Sequence, residues 1–385
     1  MILQLNPTRM QKDLEQLVSI NSENPPGGEK NVAIWIQYIL TQLGFDVRLI
    51  EFQTGRFNLE GIFTNGEGPT FAFNTHMDTV PAGDGWSSNP FCLVERNGKL
   101  FGRGSCDCKG PLAAMIEAIR LLIDQKKLWS GTLMAVFTGD EEVASAGAKH
   151  YIKNSPKIDV IVVGEPTENA CYSAHKGSFR PIVHIYGEAA HSGSPQLGDN
   201  AIFRAAELFS IIKEFHNNDL AKRHHSLVGS PSLTVTRIQG GHADNVIPAE
   251  CEILLDRRLI PGETDDIAEV EIKLLLKKAY EITGVRAEIV GYHETTGGSA
   301  DTPITAKIVE SAIAACKAAG IQSPGPFGFQ GACDLVHFVQ LGAQGVILGP
   351  GNIRVAHRAN EFVPKNEFIL SASIYANIAH LILKF

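Results

Sequence analysis

Five short stretches of this 385-residue sequence combine residues that bind metals or move protons. The first is Asn74-Thr75-His76-Met77-Asp78, just after an apolar run. A neutral imidazole at a strand end can offer one ring nitrogen to a metal, while Asp78 accepts the other ring N–H and fixes the tautomer. An isolated His-x-Asp also reads as a surface ion pair. The second, Gly102-Arg103-Gly104-Ser105-Cys106-Asp107-Cys108-Lys109-Gly110, leads into a helix. Its glycines permit close backbone approach. Asp107 either turns both carboxylate oxygens inward, where they could bridge two cations, or caps the helix. The third is Thr138-Gly139-Asp140-Glu141-Glu142. Three adjacent acids repel one another unless a cation or solvent screens them. Neighbouring side chains point in different directions, so Glu141 and Glu142 can divide the work, one as ligand and one as proton carrier. A solvated acidic loop is the other reading. The fourth stretch is Val163-Gly164-Glu165-Pro166-Thr167, and the fifth is Gly349-Pro350-Gly351 with His357 beyond it.

Four of these groups follow short apolar runs, among them 70–74, 132–138, 160–164 and 346–348, and the Asp107 group opens a helix over 111–123. Strands alternating with helices predict an α/β domain with a mostly parallel central sheet and helices on both faces. Reactive groups in such sheets collect at the carboxyl ends of the strands. Residues 10–44 read as helices broken by the loop 24–28. After Lys176 the pattern changes: a strand over 179–186, a helix over 200–215, strands over 232–239 and 249–255, a helix over 264–280 and a strand over 286–290. That βαββαβ order is ferredoxin-like. Residues 293–303 read as a polar, Gly-containing hinge candidate, and the helix–strand alternation resumes from 304 to a last helix over 367–383. The expected organisation is an outer domain from 1–176 and 293–385, with a smaller domain inserted over 177–292.

A chain of this length exceeds one compact core, which agrees with two domains. With 44% hydrophobic and 20% charged residues, the composition is that of a globular protein. No apolar run approaches the roughly 20 residues of a membrane span. The first 20 residues lack the basic head, long apolar stretch and cleavage site of a signal peptide, so a cytoplasmic protein is expected. Seven scattered cysteines, an odd number, argue for reduced thiols. A net charge of −8 with dispersed Lys and Arg disfavours nucleic acid as a partner.

The order and wording of the segments resemble the two-zinc amino-acid deacylase and exopeptidase family over nearly the whole chain. The strings HMDTVP, GRGSCDCKG, GDEE, GEPT, AHKG, NVIP and GPGNIRVAHRANEF carry the resemblance. Within the family the acetylornithine deacetylase branch is the nearest match, with the succinyl-diaminopimelate desuccinylases close to it. The resemblance implies hydrolysis of the amide bond of a small N-acyl amino acid. Desuccinylation, exopeptidase action, or a non-catalytic binding role are the alternatives. It implies two zinc ions per subunit, with cobalt able to substitute: His76 and Glu165 on one, Glu142 and His357 on the other, and Asp107 bridging. Glu141 is then the general base and Asp78 the partner of His76. By the same resemblance the insert is a lid and dimerisation domain of a homodimer. His191 matches a lid histidine that reaches the partner subunit's active site and stabilises the oxyanion. Asn245 and Arg258 match substrate-contacting positions, and a guanidinium suits a substrate carboxylate because it donates two parallel hydrogen bonds. Arg257 faces the other side of its strand. Gly331 resembles a loop that contacts the substrate backbone. Cys106 and Cys108 flank Asp107, and packing is their expected role because the five ligands are already complete.

Overall fold

A strand covered on both faces must be apolar along its whole length rather than at alternate positions. The larger part of this protein is built on such runs. The computed structural model describes residues 4–384; residues 1–3 and 385, which the sequence assigns to the outer domain, lie outside the described residues. The chain divides into two compact units. One comprises the chain up to Ala174, Asp301–Phe329 and the chain from Cys333 onward; the other comprises His175–Ala300 and Gln330–Ala332.

The sheet of the larger unit runs in the order Asp46–Gln53, Arg56–Asn65, Gly131–Thr138, Thr70–His76, Val160–Val163, Gln344–Ile347, Tyr172–His175, Ala300–Asp301, with Phe327–Phe329 paired to Tyr172–His175. Its four middle strands are parallel. Thr70 lies opposite Thr132 and His76 opposite Thr138, while Val160 pairs with both Phe71 and Gln344. The flanking strands Asp46–Gln53, Arg56–Asn65 and Tyr172–His175 are antiparallel to their neighbours. Four adjacent strands therefore end along one edge of the sheet, where His76, Asp140 to Glu142, Glu165 and the segment from Gly349 follow them.

On one face Phe71, Phe73, Leu133, Ala135, Phe137, Val162 and Val346 join a core with residues of the helices Pro7–Ser19, Glu29–Gln42, Lys109–Asp124, Lys307–Ala318 and Lys365–Leu383. Each such Phe, Leu or Val side chain contributes about 1.5–3 kcal/mol by leaving water. The alternate residues Ala72, Met134 and Ile161, paired across the strands, look the other way. The short helices Ala146–Tyr151 and Leu335–Gln340 lie on that side. Their Tyr151 and Phe338 rings are 6.1 Å apart, and a Cβ on Gly345 would collide with Leu335 and Ile161. Among the described residues no helix is long and apolar enough to cross a membrane.

The smaller unit is a four-stranded antiparallel sheet, in the order Ser232–Gly240, Glu250–Leu259, Gly177–Tyr186, Arg286–His293. With the helices Ala201–Asn218 and Asp265–Thr283 it has the βαββαβ sequence. Local signals set the helix ends. The Asn200 side chain accepts from the backbone N–H groups of Ile202 and Phe203. Thr264 caps Ile267, with Asp265 and Asp266 in the first turn, and Gly284 at φ 76° ends the helix. Val183, Ile185, Ile253 and Leu255 pack against Leu208, Ile212, Ile272 and Leu276. The Thr295 hydroxyl donates to the Ser178 carbonyl at 2.6 Å, so the segment after Arg286–His293 stays with this unit.

Candidate metal centre

His76 is the last residue of its strand and is 1% exposed. Its Nδ1 lies 2.9 Å from the backbone carbonyl of Asp78 and 3.6 Å from the Asp78 carboxylate, which leaves Nε2 facing Asp107 Oδ1 at 3.1 Å. The Asp78 carboxylate has other partners as well. It accepts from the Asn24 side-chain amide at 2.8 Å and from the backbone N–H groups of Glu141 and Glu142 at 3.2 and 3.3 Å. Asp78 therefore fixes the path of the acidic loop that follows Gly131–Thr138.

Asp107 reaches the same place from the start of Lys109–Asp124. One of its oxygens faces His76, and the other lies 3.2 Å from His357 Nε2. His357 Nε2 is also 2.9 Å from Glu142 Oε2. His357 sits at φ 61°, a left-handed conformation uncommon for a non-glycine residue, and its side chain is half exposed. Glu165, just beyond Val160–Val163, completes the group with its Oε2 3.5 Å from the Cys108 sulfur.

The electrostatics of this cluster are those of a carboxylate surplus. Burial opposes ionisation of Asp107, but hydrogen bonds from His357 and His76 overcome it and hold the carboxyl well below the ordinary range. Hydrogen bonds to Asp107 and Glu142 push His357 up to about 10. Burial and the Asp107 charge push Glu165 up to about 8 and raise Glu142. Burial and the Glu165 charge push Glu141 well above the ordinary carboxylate range. Opposed shifts among adjacent acids mark a site where a cation would absorb the excess negative charge.

Two donor groups with mutually close ligand atoms can be drawn from the described residues. One contains His76, Asp107, Cys108 and Glu165, the other Asp107, Glu142 and His357, with all ligand atoms in each group within 4.8 Å of one another. Asp107 is common to both. Imidazole, carboxylate and sulfur donors at such spacing fit a pair of borderline divalent cations. Glu141 is in neither group.

Residues with no role assigned from the sequence hold this arrangement: Glu361 with Arg103, and Asp140 with Arg56, Asn24 and Glu29. Glu361 accepts from the Arg103 guanidinium and from the backbone N–H groups of Gly104, Cys106 and Asp107, the last three at 3.2, 2.9 and 3.0 Å. It thereby folds the loop that presents Asp107, and burial pushes its carboxyl up to about 7. Asp140 looks in sequence like its two acidic neighbours. Its Oδ1, however, accepts from the Arg56 guanidinium at 2.7 Å and from Asn24 at 2.9 Å, and Arg56 also pairs with buried Glu29. Asp140 is thus an anchor of the loop.

The remaining sequence-predicted residues stand in the smaller unit. His191 pairs with Val246 across two short strands, and the Ser192 N–H donates to the Asn245 carbonyl at 2.9 Å, so His191 and Asn245 are neighbours. Arg257 is fully buried between Glu263 and Glu271, at 2.8 and 3.2 Å. Arg258 is partly exposed, and Asp256 holds its guanidinium at 2.7 Å. Gly331 lies in the short return segment Gln330–Ala332.

A mostly parallel α/β sheet whose strand ends gather two donor groups sharing one aspartate has the build of a metal-dependent hydrolase. Residues 72–381 match the model of Peptidase family M20/M25/M40, and the chain belongs to this family. It is 30% identical over 355 residues to an acetylornithine deacetylase of Vibrio parahaemolyticus, covering 90% of each chain. It is 28% identical over 397 residues to a probable succinyl-diaminopimelate desuccinylase of Staphylococcus epidermidis, covering 95% of each. In fold it is similar to a tripeptidase from Staphylococcus aureus, with a TM-score of 0.82, 22% identity, and 98% of this chain and 99% of that one covered.

Proposed function

We propose that the protein removes the acyl group from the α-amine of a small N-acyl amino acid, with N-acetylornithine the first expected substrate and ornithine and acetate the products. Acetylornithine deacetylases from Vibrio parahaemolyticus and Vibrio vulnificus, at 30% and 32% identity, support that choice. The Staphylococcus epidermidis relative makes desuccinylation the neighbouring alternative. One observation carries the reading: Asp107 turns one oxygen to each of two imidazoles, while Glu141 stands outside both donor groups.

In this reading His76, Asp107 and Glu165 hold one zinc ion, and Asp107, Glu142 and His357 hold the other, with cobalt able to replace zinc. When bound, an ion with an open position would acidify water and polarise the acyl carbonyl. Glu141 takes the proton of the attacking water and passes it to the departing amine. Its raised proton affinity suits that role, because a carboxylate with the ordinary value is a weak base at neutral pH. Asp78 keeps Glu141 in place through the backbone N–H it accepts.

His191 serves as oxyanion donor. Its Nδ1 accepts the Gly193 N–H at 3.0 Å, so the ring proton sits on Nε2, free to donate. Arg258 orients the substrate through its carboxylate, with Asn245 and Gly331 as further contacts. The smaller unit acts as lid and dimerisation domain of a homodimer, and the enzyme works in the cytoplasm, in arginine biosynthesis.

Amine release from N-acetylornithine, N-succinyl-diaminopimelate and a set of dipeptides tests the reading. Release chiefly from N-acetylornithine is expected. A preference for dipeptides would make the protein an exopeptidase, and a preference for the succinylated substrate a desuccinylase.

A further inference from the structure

The two halves of the centre are unequal. Around His357 three donors converge, but around His76 there are four, because the Cys108 sulfur stands with His76, Asp107 and Glu165. The sulfur is 3.0 Å from Asp107 Oδ1 and 3.5 Å from Glu165 Oε2, and His76 Nε2 is 3.1 Å from the same Asp107 oxygen. Bond lengths of about 2.0–2.2 Å to nitrogen or oxygen and about 2.3 Å to sulfur give a tetrahedron edges of roughly 3.3–3.7 Å. The three separations are at or somewhat below those edges, and every other donor pair of the group lies within 4.8 Å. His76, Cys108 and Glu165 are all buried, whereas the His357 side chain is 52% exposed. Cys106 is placed differently. Its sulfur is 3.6 Å from the Asn352 carbonyl and lies where a Cβ on Gly351 would fall.

Building on the two-metal reading above, we propose that Cys108 supplies a thiolate to the ion on the His76 side. That position is then a closed four-donor site for zinc or cobalt, and the three-donor His357 side keeps the open position. Four protein donors typify closed zinc sites and three typify sites that also take water or substrate. A thiolate favours zinc and cobalt over magnesium or manganese. The bond forms as the thiol releases its proton to solvent. The half-exposed ion leaves first on chelation, and the His76-side ion is retained longer.

Cobalt added to metal-free protein tests this without reference to activity. Wild type and Cys106→Ser should both develop a near-ultraviolet sulfur-to-cobalt charge-transfer band that saturates at one cobalt per subunit, while the second cobalt adds only visible absorption. Cys108→Ser should bind cobalt without the band, and should hold its tighter ion about tenfold or more weakly, at least the loss seen when an outer-shell partner is removed. On the zinc protein, X-ray absorption should show a sulfur shell near 2.3 Å, the usual zinc–thiolate length. Two bound cobalt ions with neither band nor sulfur shell would overturn the thiolate and leave the two-metal centre standing. Failure to bind cobalt at all would overturn both.

Discussion

Replacing Glu361 by Gln should loosen the loop that carries Asp107, and the structure sets the size of the effect. Four donors meet the two Glu361 oxygens: the Arg103 guanidinium and Gly104 N–H on Oε2, and the Cys106 and Asp107 N–H groups on Oε1. A glutamine amide has the same shape but only one oxygen. Its NH2 would meet two donors that it cannot satisfy, so at least two bonds are lost. Each hydrogen bond to a charged group is worth about 1.5–3 kcal/mol. Arg103 is 1% exposed and would lose its carboxylate, a change that typically destabilises by about 3–5 kcal/mol. The Pro81 and Ala82 carbonyls, each 3.2 Å from the other guanidinium nitrogen, offset part of this. We expect Glu361→Gln to destabilise metal-free protein by about 3–5 kcal/mol, read from the urea midpoint at pH 8. Zinc affinity should fall by about 10–100-fold because Asp107 is less firmly held. Arg103→Met combined with Glu361→Gln should cost clearly less than the sum of the single changes. A stability within about 0.5 kcal/mol of wild type, the range of ordinary surface changes, would refute the reasoning.

Other outcomes follow from the same geometry. Glu141→Gln should lower kcat by about 10²–10⁴-fold with metal content unchanged; loss of metal on dialysis would make Glu141 a ligand. His191→Ala should lower kcat by about 10²–10³-fold with little change in KM, and an unchanged kcat would remove it from the oxyanion role. Arg258→Met should raise KM for N-acetylornithine more than it lowers kcat; equal KM values would dissociate Arg258 from the substrate. Burial lowers His175 to about 4, from an ordinary 6.5. The unfolded chain takes up this proton near 6.5 but the folded chain only near 4, so its contribution is full above 6.5 and lost as the pH falls to 4. At about 1.4 kcal/mol per pH unit this amounts to about 3 kcal/mol. His175→Gln should therefore show a shallower fall in urea midpoint across that window, and a fall equal to wild type would contradict the assignment.

The α/β architecture and the βαββαβ insert were legible because each rests on local pattern. Val160–Val163 is a continuous apolar run, and Thr70–His76 carries the apolar stretch Phe71–Phe73 and is buried from Phe71 onward, since both faces are covered. Asn200, Thr264 and Gly284 mark helix ends within a few residues of chain. The strand Asp46–Gln53 was not singled out, because its half-exposed alternation gives no such run. Within the candidate centre, strand-end position drew attention to His76, Glu142 and Glu165. The supporting residues left no comparable trace. Glu361 and Arg103 are 258 positions apart, and Arg56 meets Asp140 over 84. Nothing local in Asp140-Glu141-Glu142 separates the anchor from its neighbours, because what distinguishes Asp140 is the buried guanidinium opposite it. Cys108, read from sequence as packing, stands among donors only because the chain turns its sulfur toward Asp107 and Glu165.

The most direct test of the central claim is the rate of amine release from N-acetylornithine as metal-free protein is titrated with zinc. The account predicts no release after chelation and full recovery as the second zinc per subunit is bound. Undiminished hydrolysis by protein shown to contain no metal, or no hydrolysis by protein carrying two zinc ions, would contradict it.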